Sequence, residues 1–518
     1  MNLHATLEES ARRCADKTCV VCEDERIPFA EMNRRANRFA RGLRELRFAR
    51  GLRERAGVER GDRVGLLVKN SPAFIEALYG VLKLGAAVVP INVFLAPPEV
   101  AFILNDCGIR TLVVSSDFLP MMPTLREQAP TLEHVVALDG AGKGVITREE
   151  LIAGRSDEDL GVDVADGDDA IFLYTSGTTG KPKAAVLTHA NFLGNIDSCR
   201  RAVQLTPDDS FLLALPMFHS FSLTVNVLLP IAGGCTIVLL ESVRPHEKLL
   251  RALVEHGPTI FPGMPALYVL FCKTSLPPEL MARSKLRVCI SGSAPLAEAT
   301  LLEFEKRFPV PLLEGYGLSE AAPVVALNPL DGVRKTRSIG VPLPGVEVKV
   351  FDQHDRELPT GEPGELVVRG PNVMRGYHDR PDETAATLRN GWLHTGDIAR
   401  MDEDGYIFIL DRKKDLIISK GMNIYPREIE EALHHHPKVH EVAVVGSRDR
   451  NLDEVVVAFV RLTDGAMAEP TELIDYLKPR LAAYKIPRRV RFVDDFPRTP
   501  TGKILKRELK ALGSPTAS

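Results

Sequence analysis

Apolar and polar positions along this chain follow two rhythms. Short apolar runs at Arg63-Val64-Gly65-Leu66-Leu67-Val68 and Ala86-Ala87-Val88-Val89-Pro90 predict strands, and Pro72 to Lys83 between them repeats apolar residues at helical spacing. Strand, helix and strand in succession predict a parallel sheet in an α/β layout. The rhythm returns at Thr236-Ile237-Val238-Leu239-Leu240, at Pro245 to His256 and at Leu286-Arg287-Val288-Cys289-Ile290. After about Gly340 the texture changes to short strands between Pro/Gly turns, as at Gly345 to Val350 and Glu365 to Arg369, which predicts a small β-rich subdomain.

The sharpest boundary falls at the charge run Asp411-Arg412-Lys413-Lys414-Asp415, between strand-like Tyr406 to Leu410 and Leu416 to Ser419. Beyond it an α+β pattern repeats on its own: a helix from about Pro426 to His435, strands at Glu441 to Gly446 and Val455 to Leu462, a helix from about Pro470 to Leu481, a strand at Arg489 to Val493, and a last helix after Gly502. A segment of about a hundred residues can form its own domain. The expected fold class is therefore α/β: a large N-terminal domain of stacked α/β sheets with the β-rich subdomain, residues 1–411, followed by a smaller α+β C-terminal domain, residues 412–518.

One segment breaks the pattern. Phe39-Ala40-Arg41-Gly42-Leu43-Arg44-Glu45 recurs as Phe48-Ala49-Arg50-Gly51-Leu52-Arg53-Glu54. A nine-residue offset turns a helix through about two and a half turns, so both copies cannot share one apolar face. The repeat is read as a solvated surface extension, since Gly42 and Gly51 weaken a helix. The stripe Arg38, Arg41, Arg44, Arg47, Arg50 and Arg53 leaves peripheral contact with anionic lipid as the alternative.

At 518 residues the chain exceeds one ordinary core, as expected of a large enzyme. A net charge of −4 provides no global field for nucleic acid, which is not expected as a partner. The first residues, Met1 to Glu9, lack the pattern of a secretory signal, so a cytoplasmic location is expected. The apolar run Ser220 to Leu240 has membrane-spanning length but is broken by Asn226, Pro230 and Gly233-Gly234. It predicts a buried helix, a turn and a strand, and no transmembrane segment is expected. Of eight cysteines only Cys19 and Cys22 lie close together; three apart on a strand they face opposite sides, and no second pair completes a zinc site. Reduced structural thiols are expected.

The densest chemistry lies in Tyr174-Thr175-Ser176-Gly177-Thr178-Thr179-Gly180-Lys181-Pro182-Lys183-Ala184. Glycines bring backbone N–H groups close to a ligand, hydroxyls donate to phosphate oxygens and lysines neutralise them, so a nucleoside triphosphate suits this loop. The hydrolase phosphate loop has four residues between its glycines and a hydroxyl after its lysine. Here two residues separate Gly177 from Gly180, and Pro182 follows Lys181. The apolar flanks Ala170 to Tyr174 and Ala184 to Leu187 predict two strands, making the loop a hairpin rather than a linker.

This run resembles the phosphate loop of the adenylate-forming superfamily, which includes acyl-CoA synthetases, aryl-CoA ligases and nonribosomal-peptide adenylation domains. The resemblance extends from about residue 20 to Leu509 with every motif in family order. It implies that Thr175, Ser176, Gly177, Thr178, Thr179, Gly180 and Lys181 cradle the phosphates of ATP. Ser291-Gly292-Ser293-Ala294-Pro295 resembles the adenine-side loop, which brings in Gly292, Ser293 and Ala294. In Glu314-Gly315-Tyr316-Gly317-Leu318-Ser319-Glu320 the resemblance implies that Tyr316 stacks on adenine, Ser319 meets the α-phosphate and Glu320 holds Mg2+, with Thr178 also near the metal. Glu314, Gly315 and Gly317 complete that nucleotide segment, and Ser319 stands where Thr is more usual. One well-placed carboxylate suffices for magnesium, a hard cation that keeps phosphate and water ligands.

Gly391-Trp392-Leu393-His394-Thr395-Gly396-Asp397 matches the superfamily's ribose motif; Asp397 would accept from the ribose hydroxyls and Arg412 would complete the clamp. Two residues on, Lys414 falls at the hinge about which the C-terminal domain is mobile. Pro497-Arg498-Thr499-Pro500-Thr501-Gly502-Lys503-Ile504 resembles the catalytic loop, so Lys503, with Glu320 and Thr175, is expected to act on the reacting phosphate. Pro216-Met217-Phe218-His219-Ser220-Phe221 resembles the border of the acyl pocket. There Phe218 and His219, with Gly315 and Ala321, would meet the acid, His219 as a gate rather than a base. Lys420-Gly421 matches the lining of the pantetheine channel.

The function implied is an acyl-CoA synthetase: a carboxylic acid, of medium- or long-chain fatty type, and MgATP give an acyl-adenylate and pyrophosphate, and coenzyme A then takes the acyl group with release of AMP. An aryl acid as substrate, a carrier protein's pantetheine as acceptor, and a non-catalytic acyl- or nucleotide-binding protein are the alternatives. Assembly as a homodimer is carried as an expectation.

Overall fold

The computed structural model describes residues 2–46, 57–176, 182–245, 247–274, 283–419, 422–448, 454–498 and 504–513. The chain divides into two compact units, Met1–Val348 with Val368–Leu393, and Lys349–Val367 with His394–Ser518.

The first unit holds two large sheets. One has the order Gly376–Tyr377, Pro182–Thr188, Asp169–Ser176, Ala87–Pro90, Arg63–Leu67, Thr111–Val114, His134–Ala137 and Ile146–Thr147. Its strands from Ala87–Pro90 through Ile146–Thr147 pair in parallel, as the strand-helix-strand rhythm predicts. The helix Pro72–Leu82 between two of them is started by the Ser71 side chain, which accepts from the Phe74 N–H, and by Pro72 in its first turn. Of the strands bearing the phosphate motif, Asp169–Ser176 joins that sheet parallel to Ala87–Pro90, and Pro182–Thr188 pairs antiparallel to it: Tyr174 faces Ala184, Thr175 faces Lys183 and Ser176 faces Pro182. The predicted hairpin flanks are therefore present, one on each side of residues 177–181.

The second sheet runs Val341–Pro342, Val324–Leu327, Leu312–Gly317, Val288–Ser291, Ile260–Gly263, Ser210–Leu213, Thr236–Leu239, Thr18–Cys22 and Glu25–Pro28. Ile260–Gly263, Val288–Ser291 and Leu312–Gly317 pair in parallel, so the Ser291-Gly292 loop and the Gly315-Tyr316-Gly317 segment emerge from their same ends. Ligands of open α/β sheets gather at such ends.

The apolar run from Ser220 folds as predicted into buried helix, turn and strand. Its centre, Leu223–Leu228, is π-helical, and Gly234, in the left-handed region that glycine enters without strain, turns the chain into Thr236–Leu239. All eight cysteines are free, and burial pushes the Cys22 thiol up to about 12 and Cys19 higher still. Among the described residues no helix is long and apolar enough to cross a membrane.

The first copy of the repeat differs from a surface extension. It ends the helix Phe29–Arg44, where Phe39, Ala40, Gly42 and Leu43 are buried with Phe29, Met32 and Ala36. The spacing of three and four residues makes one continuous apolar face. Gly42 lies against the Leu151 carbonyl, where a Cβ would approach to 2.4 Å, so its helix-weakening cost is offset by close packing. Within the described part of the basic stripe, Arg38 reaches the carboxylates of Glu31 and Asp157, and Arg41 donates to the backbone carbonyls of Glu158 and Asp159. The second copy lies outside the described residues.

In the second unit, Val439–Arg448, Glu454–Leu462 and Arg489–Phe492 form a three-stranded sheet. Val442, Val444, Val456, Ala458 and Val460 pack under Ile429, Leu433, Leu473 and Leu477 of the helices Pro426–His434 and Pro470–Leu477. The alternate residues Ala443, Val445, Val457 and Phe459 meet Phe496 and Leu509. This period of two is that of a strand covered on both faces. The charge run is not a plain linker: the strand Ile407–Arg412 continues into it, with Asp411 opposite Ile398 and Arg412 opposite Asp397. Asp411 is buried, and its carboxylate accepts the N–H groups of Arg412 and Arg427.

Candidate active site

In the first unit, the strand Asp169–Ser176 is fastened before it reaches the glycine-rich loop. The Tyr174 hydroxyl donates to Asp106 at 2.7 Å, and Arg380 holds the other oxygen of that carboxylate at 2.7 Å. Thr175 lies opposite Lys183, and its Oγ1 reaches the Lys183 carbonyl at 3.5 Å. Gly177, Thr178, Thr179, Gly180 and Lys181 lie outside the described residues, as does the Ser176 side chain. Lys183, on the returning strand, lies 3.6 Å from the centre of the Tyr377 ring and 2.9 Å from Glu383.

Across from this strand stands the carboxylate proposed for magnesium. Glu320 sits in the single turn Ser319–Ala321, its backbone carbonyl accepting from the Met374 N–H at 2.8 Å and its Oε1 from the Tyr377 hydroxyl at 2.9 Å. No hydrogen bond or ion pair from the described residues reaches its Oε2. An ionised oxygen left open in this way fits a hard divalent cation. Burial pushes the Tyr377 hydroxyl well above its ordinary range, and the neighbouring Glu320 adds to it, so the tyrosine stays a donor.

The remaining nucleotide residues surround this turn. Glu314 is buried and its Oε1 accepts the Leu296 N–H at 3.0 Å, which braces the loop carrying Gly292, Ser293 and Ala294. Ser293 takes a left-handed φ of 69°, and Gly292 lies under Phe221, whose ring a Cβ would approach to 3.1 Å. Gly317 packs on the Pro323 carbonyl, where a Cβ would stand at 2.2 Å, so backbone meets backbone only because the residue is glycine. Tyr316 lies opposite Ala326, and Gly315 packs against Leu327. Ser319 reaches the Ser220 hydroxyl at 3.3 Å, and Thr224 donates to the Ala322 carbonyl at 3.0 Å. The nucleotide segment is thus joined to the apolar helix that begins beside His219.

His219 starts that helix, its Nδ1 accepting from the Phe221 N–H at 3.3 Å. Phe218 meets the exposed ring of Phe94 edge-on, 6.2 Å between centres, and Ala321 is buried. Below the strand ends is a cavity of about 280 Å³ lined by Leu253, Phe261, Phe271, Cys289, Phe304 and Val310 among others. Phe261 and Cys289 are register partners, and Cys289 lies two positions before Ser291, about 7 Å along the strand. Ser284, Leu286, Pro309 and Val310 of its lining precede their strands, so the cavity extends toward the end of the sheet opposite the Ser291-Gly292 loop. Leu253, Phe261, Phe271, Cys289 and Phe304 stand on five different elements, which no single sequence motif joins.

In the second unit, Asp397 and Arg412 are register partners, with Nε to Oδ1 at 3.4 Å. The strand Trp392–Met401 bends at Gly396, in the left-handed region with φ of 72°, just before Asp397, and the bend rests on a residue that no motif singled out. Glu365 is buried; its Oε1 accepts the Gly396 N–H at 3.2 Å, and its Oε2 meets Lys413 at 2.9 Å and His394 Nδ1 at 3.1 Å. Burial works against ionisation of Glu365, but Lys413 and His394 hold its carboxyl below the usual range. Lys414 is exposed, and its carbonyl lies 3.5 Å from Lys510 Nζ. Lys420, Gly421 and Lys503 lie outside the described residues. The loop containing Lys503 is closed at its base by the antiparallel bridge between Arg498 and Ile504. Among the described residues no cluster of His, Cys, Asp and Glu of metal-binding type occurs.

A family model described as AMP-binding enzyme matches residues 7–378, and one described as AMP-binding enzyme C-terminal domain matches residues 428–503. The chain is 35% identical to a long-chain-fatty-acid–CoA ligase of Escherichia coli O6:H1, over 97% of this chain and 93% of that one. It is 36% identical to a feruloyl-CoA synthase of Amycolatopsis sp, covering 96% of each. Among solved structures, ATP-bound MatB from Rhodopseudomonas palustris superposes with a TM-score of 0.89 at 31% identity, covering 99% of both chains.

Proposed function

Because the chain belongs to the AMP-binding enzyme family, we propose that it is an ATP-dependent acyl-CoA synthetase acting on medium- or long-chain fatty acids. The acid's carboxylate oxygen attacks the α-phosphorus of ATP, the bond to the pyrophosphate oxygen breaks, and acyl-adenylate and pyrophosphate form. The thiol of coenzyme A then attacks the acyl carbon, loses its proton and displaces AMP. No enzyme nucleophile is required, since the mixed anhydride is already activated.

The observation that carries this reading lies in the first unit. Lys183, on the strand leaving the glycine-rich loop, and the Glu320 carboxylate both contact Tyr377, at 3.6 Å and 2.9 Å. A strand leaving the glycine-rich loop and an open carboxylate thus share one support, which supports the pairing of phosphate-binding and metal-binding groups that a leaving pyrophosphate needs. Thr175 to Lys181 would hold the β- and γ-phosphates, Ser319 and Tyr316 the α-phosphate and adenine, and Asp397 with Arg412 the ribose. Glu320, with Thr178 nearby, would hold magnesium, which when bound neutralises phosphate charge. Lys503 would steady the carboxylate at the α-phosphate, and the chain would pivot at Lys414 so that Lys420-Gly421 lines the coenzyme A channel in the second step. The boundary of the mobile domain is placed at residues 411/412.

For the acid, the similarity to a long-chain-fatty-acid–CoA ligase supports a straight-chain tail. The similarity to a feruloyl-CoA synthase supports an aryl acid as the second reading. A pyrophosphate-release screen with coenzyme A across straight-chain and aromatic acids separates them. Straight chains are expected to give the highest kcat/KM; preference for cinnamic-type acids would replace the first reading, and release with no acid would end both.

A further inference from the structure

The motifs left one buried pair unassigned: Tyr377 and Lys183. The segment Met374 to Tyr377 touches Glu320 twice, through the Met374 N–H at 2.8 Å and the Tyr377 hydroxyl at 2.9 Å. The same segment is an edge strand on the phosphate hairpin, with Gly376 opposite Val186 and Tyr377 opposite Ala185. Its own position is fixed by Thr384, whose hydroxyl oxygen accepts the Tyr377 N–H at 2.9 Å while donating to the Arg380 carbonyl at 2.8 Å. The Tyr377 ring is buried, with Lys183 Nζ over its face and Glu383 2.9 Å from that ammonium.

We propose that Tyr377 is a positioning residue that sets the Glu320 carboxylate for its divalent cation and ties that carboxylate to the strand leaving the phosphate loop. The inference rests on the reading of Glu320 as the metal carboxylate. A hydroxyl donating to Oε1 does two things. It stabilises the ionised carboxylate, and it fixes the rotamer so that Oε2, which no described residue engages, is presented as the metal ligand. Lys183 over the ring face holds the ring in place from the phosphate side, so a shift of the hairpin is felt at Glu320 through one rigid side chain. Tyr377 touches neither phosphate nor acid in this account; it acts through Glu320.

Tyr377→Phe removes only the hydroxyl and keeps the ring under Lys183. In the full chain, binding of Mn2+ to the ATP complex is followed by electron paramagnetic resonance, beside the Mg2+ dependence of pyrophosphate release. The variant is expected to weaken Mn2+ binding about tenfold, the scale of one hydrogen bond to a charged group. The Mg2+ concentration for half-maximal rate should rise by the same factor, with the rate largely recovered at saturating Mg2+. Thiolysis of supplied acyl-adenylate by coenzyme A should be unchanged. Glu320→Gln is the control. If it leaves Mn2+ binding intact, the metal reading of Glu320 is wrong; if it weakens binding while Tyr377→Phe does not, the positioning role is wrong. Should Tyr377→Phe melt early, Lys183→Met tests the same support from the other side, and unchanged Mn2+ binding there overturns the proposal.

Discussion

Replacing Glu365 by Gln tests how the bend at Gly396, beside Asp397, is held. The amide keeps an oxygen for the Gly396 N–H, now at 3.2 Å, and loses the charge that meets His394 at 3.1 Å and Lys413 at 2.9 Å. The His394 contact is buried, and a hydrogen bond to a charged group there contributes about 1.5–3 kcal/mol. Lys413 is half exposed, so solvent screening limits its share to about 0–1 kcal/mol. The loss is then about 2–3 kcal/mol, concentrated at the turn that presents Asp397. If roughly half of it is felt at the nucleotide, KM for ATP rises about tenfold, the equivalent of ~1.4 kcal/mol. The assay is pyrophosphate release against ATP concentration, paired with thermal melting between pH 7 and pH 4. The pH sign follows from Glu365 being held below its ordinary value of 4.5: its contribution is present above 4.5 and fades as pH falls through the lower folded value. Glu365→Gln should therefore melt lower than the parent at pH 7 and converge with it in acid. An unchanged ATP KM alongside a clear loss of melting temperature would refute the coupling of this turn to the nucleotide.

Lys503→Ala is expected to lower acid-dependent pyrophosphate release by at least about a hundredfold, as for loss of an electrostatic transition-state contact, while supplied acyl-adenylate is still converted by coenzyme A; equal loss in both half-reactions would displace Lys503 from its role. Cys289→Phe overpacks the buried cavity behind the sheet and should lower stability by about 1–3 kcal/mol, read by thermal melting, while the ratio of kcat/KM between long and short acids stays unchanged. A loss confined to the longest acids would show that the tail reaches this cavity. Burial pushes His189 down to about 4 from 6.5, so the parent protein's stability from this group is intact above pH 6.5 and lost as pH falls toward 4, by about 3 kcal/mol in all. His189→Phe should flatten that part of the melting profile; an unchanged slope would place the acid sensitivity elsewhere.

What the sequence carried and what it did not divide along a physical line. Strands such as Val64 to Leu67 and helices such as Pro72–Leu82 are encoded by local period and caps, so their types were legible and their ends nearly so. The hairpin flanking the phosphate loop was legible for the same reason. Glu365, Tyr377 and Lys183 were not, because each matters through a partner distant in sequence; Glu320 and Tyr377 are 57 positions apart. No period or composition records such a contact. The burial of Asp411 was not legible either, because its carboxylate is satisfied by the backbone N–H groups of Arg412 and Arg427, which no charge pattern records. The first copy of the repeat misled, since Gly42 weakens a helix in isolation and fits it closely against Leu151 in the fold.

The central claim, attack of a carboxylate on the α-phosphorus of ATP followed by thiolysis, is tested most directly with a fatty acid whose carboxylate carries heavy oxygen. One labelled oxygen remains with phosphorus when coenzyme A cleaves the anhydride, so mass spectrometry should find one heavy oxygen in AMP and none in pyrophosphate. Label in inorganic phosphate with ADP as the other product, or acyl-CoA formed with unlabelled AMP, would contradict the account.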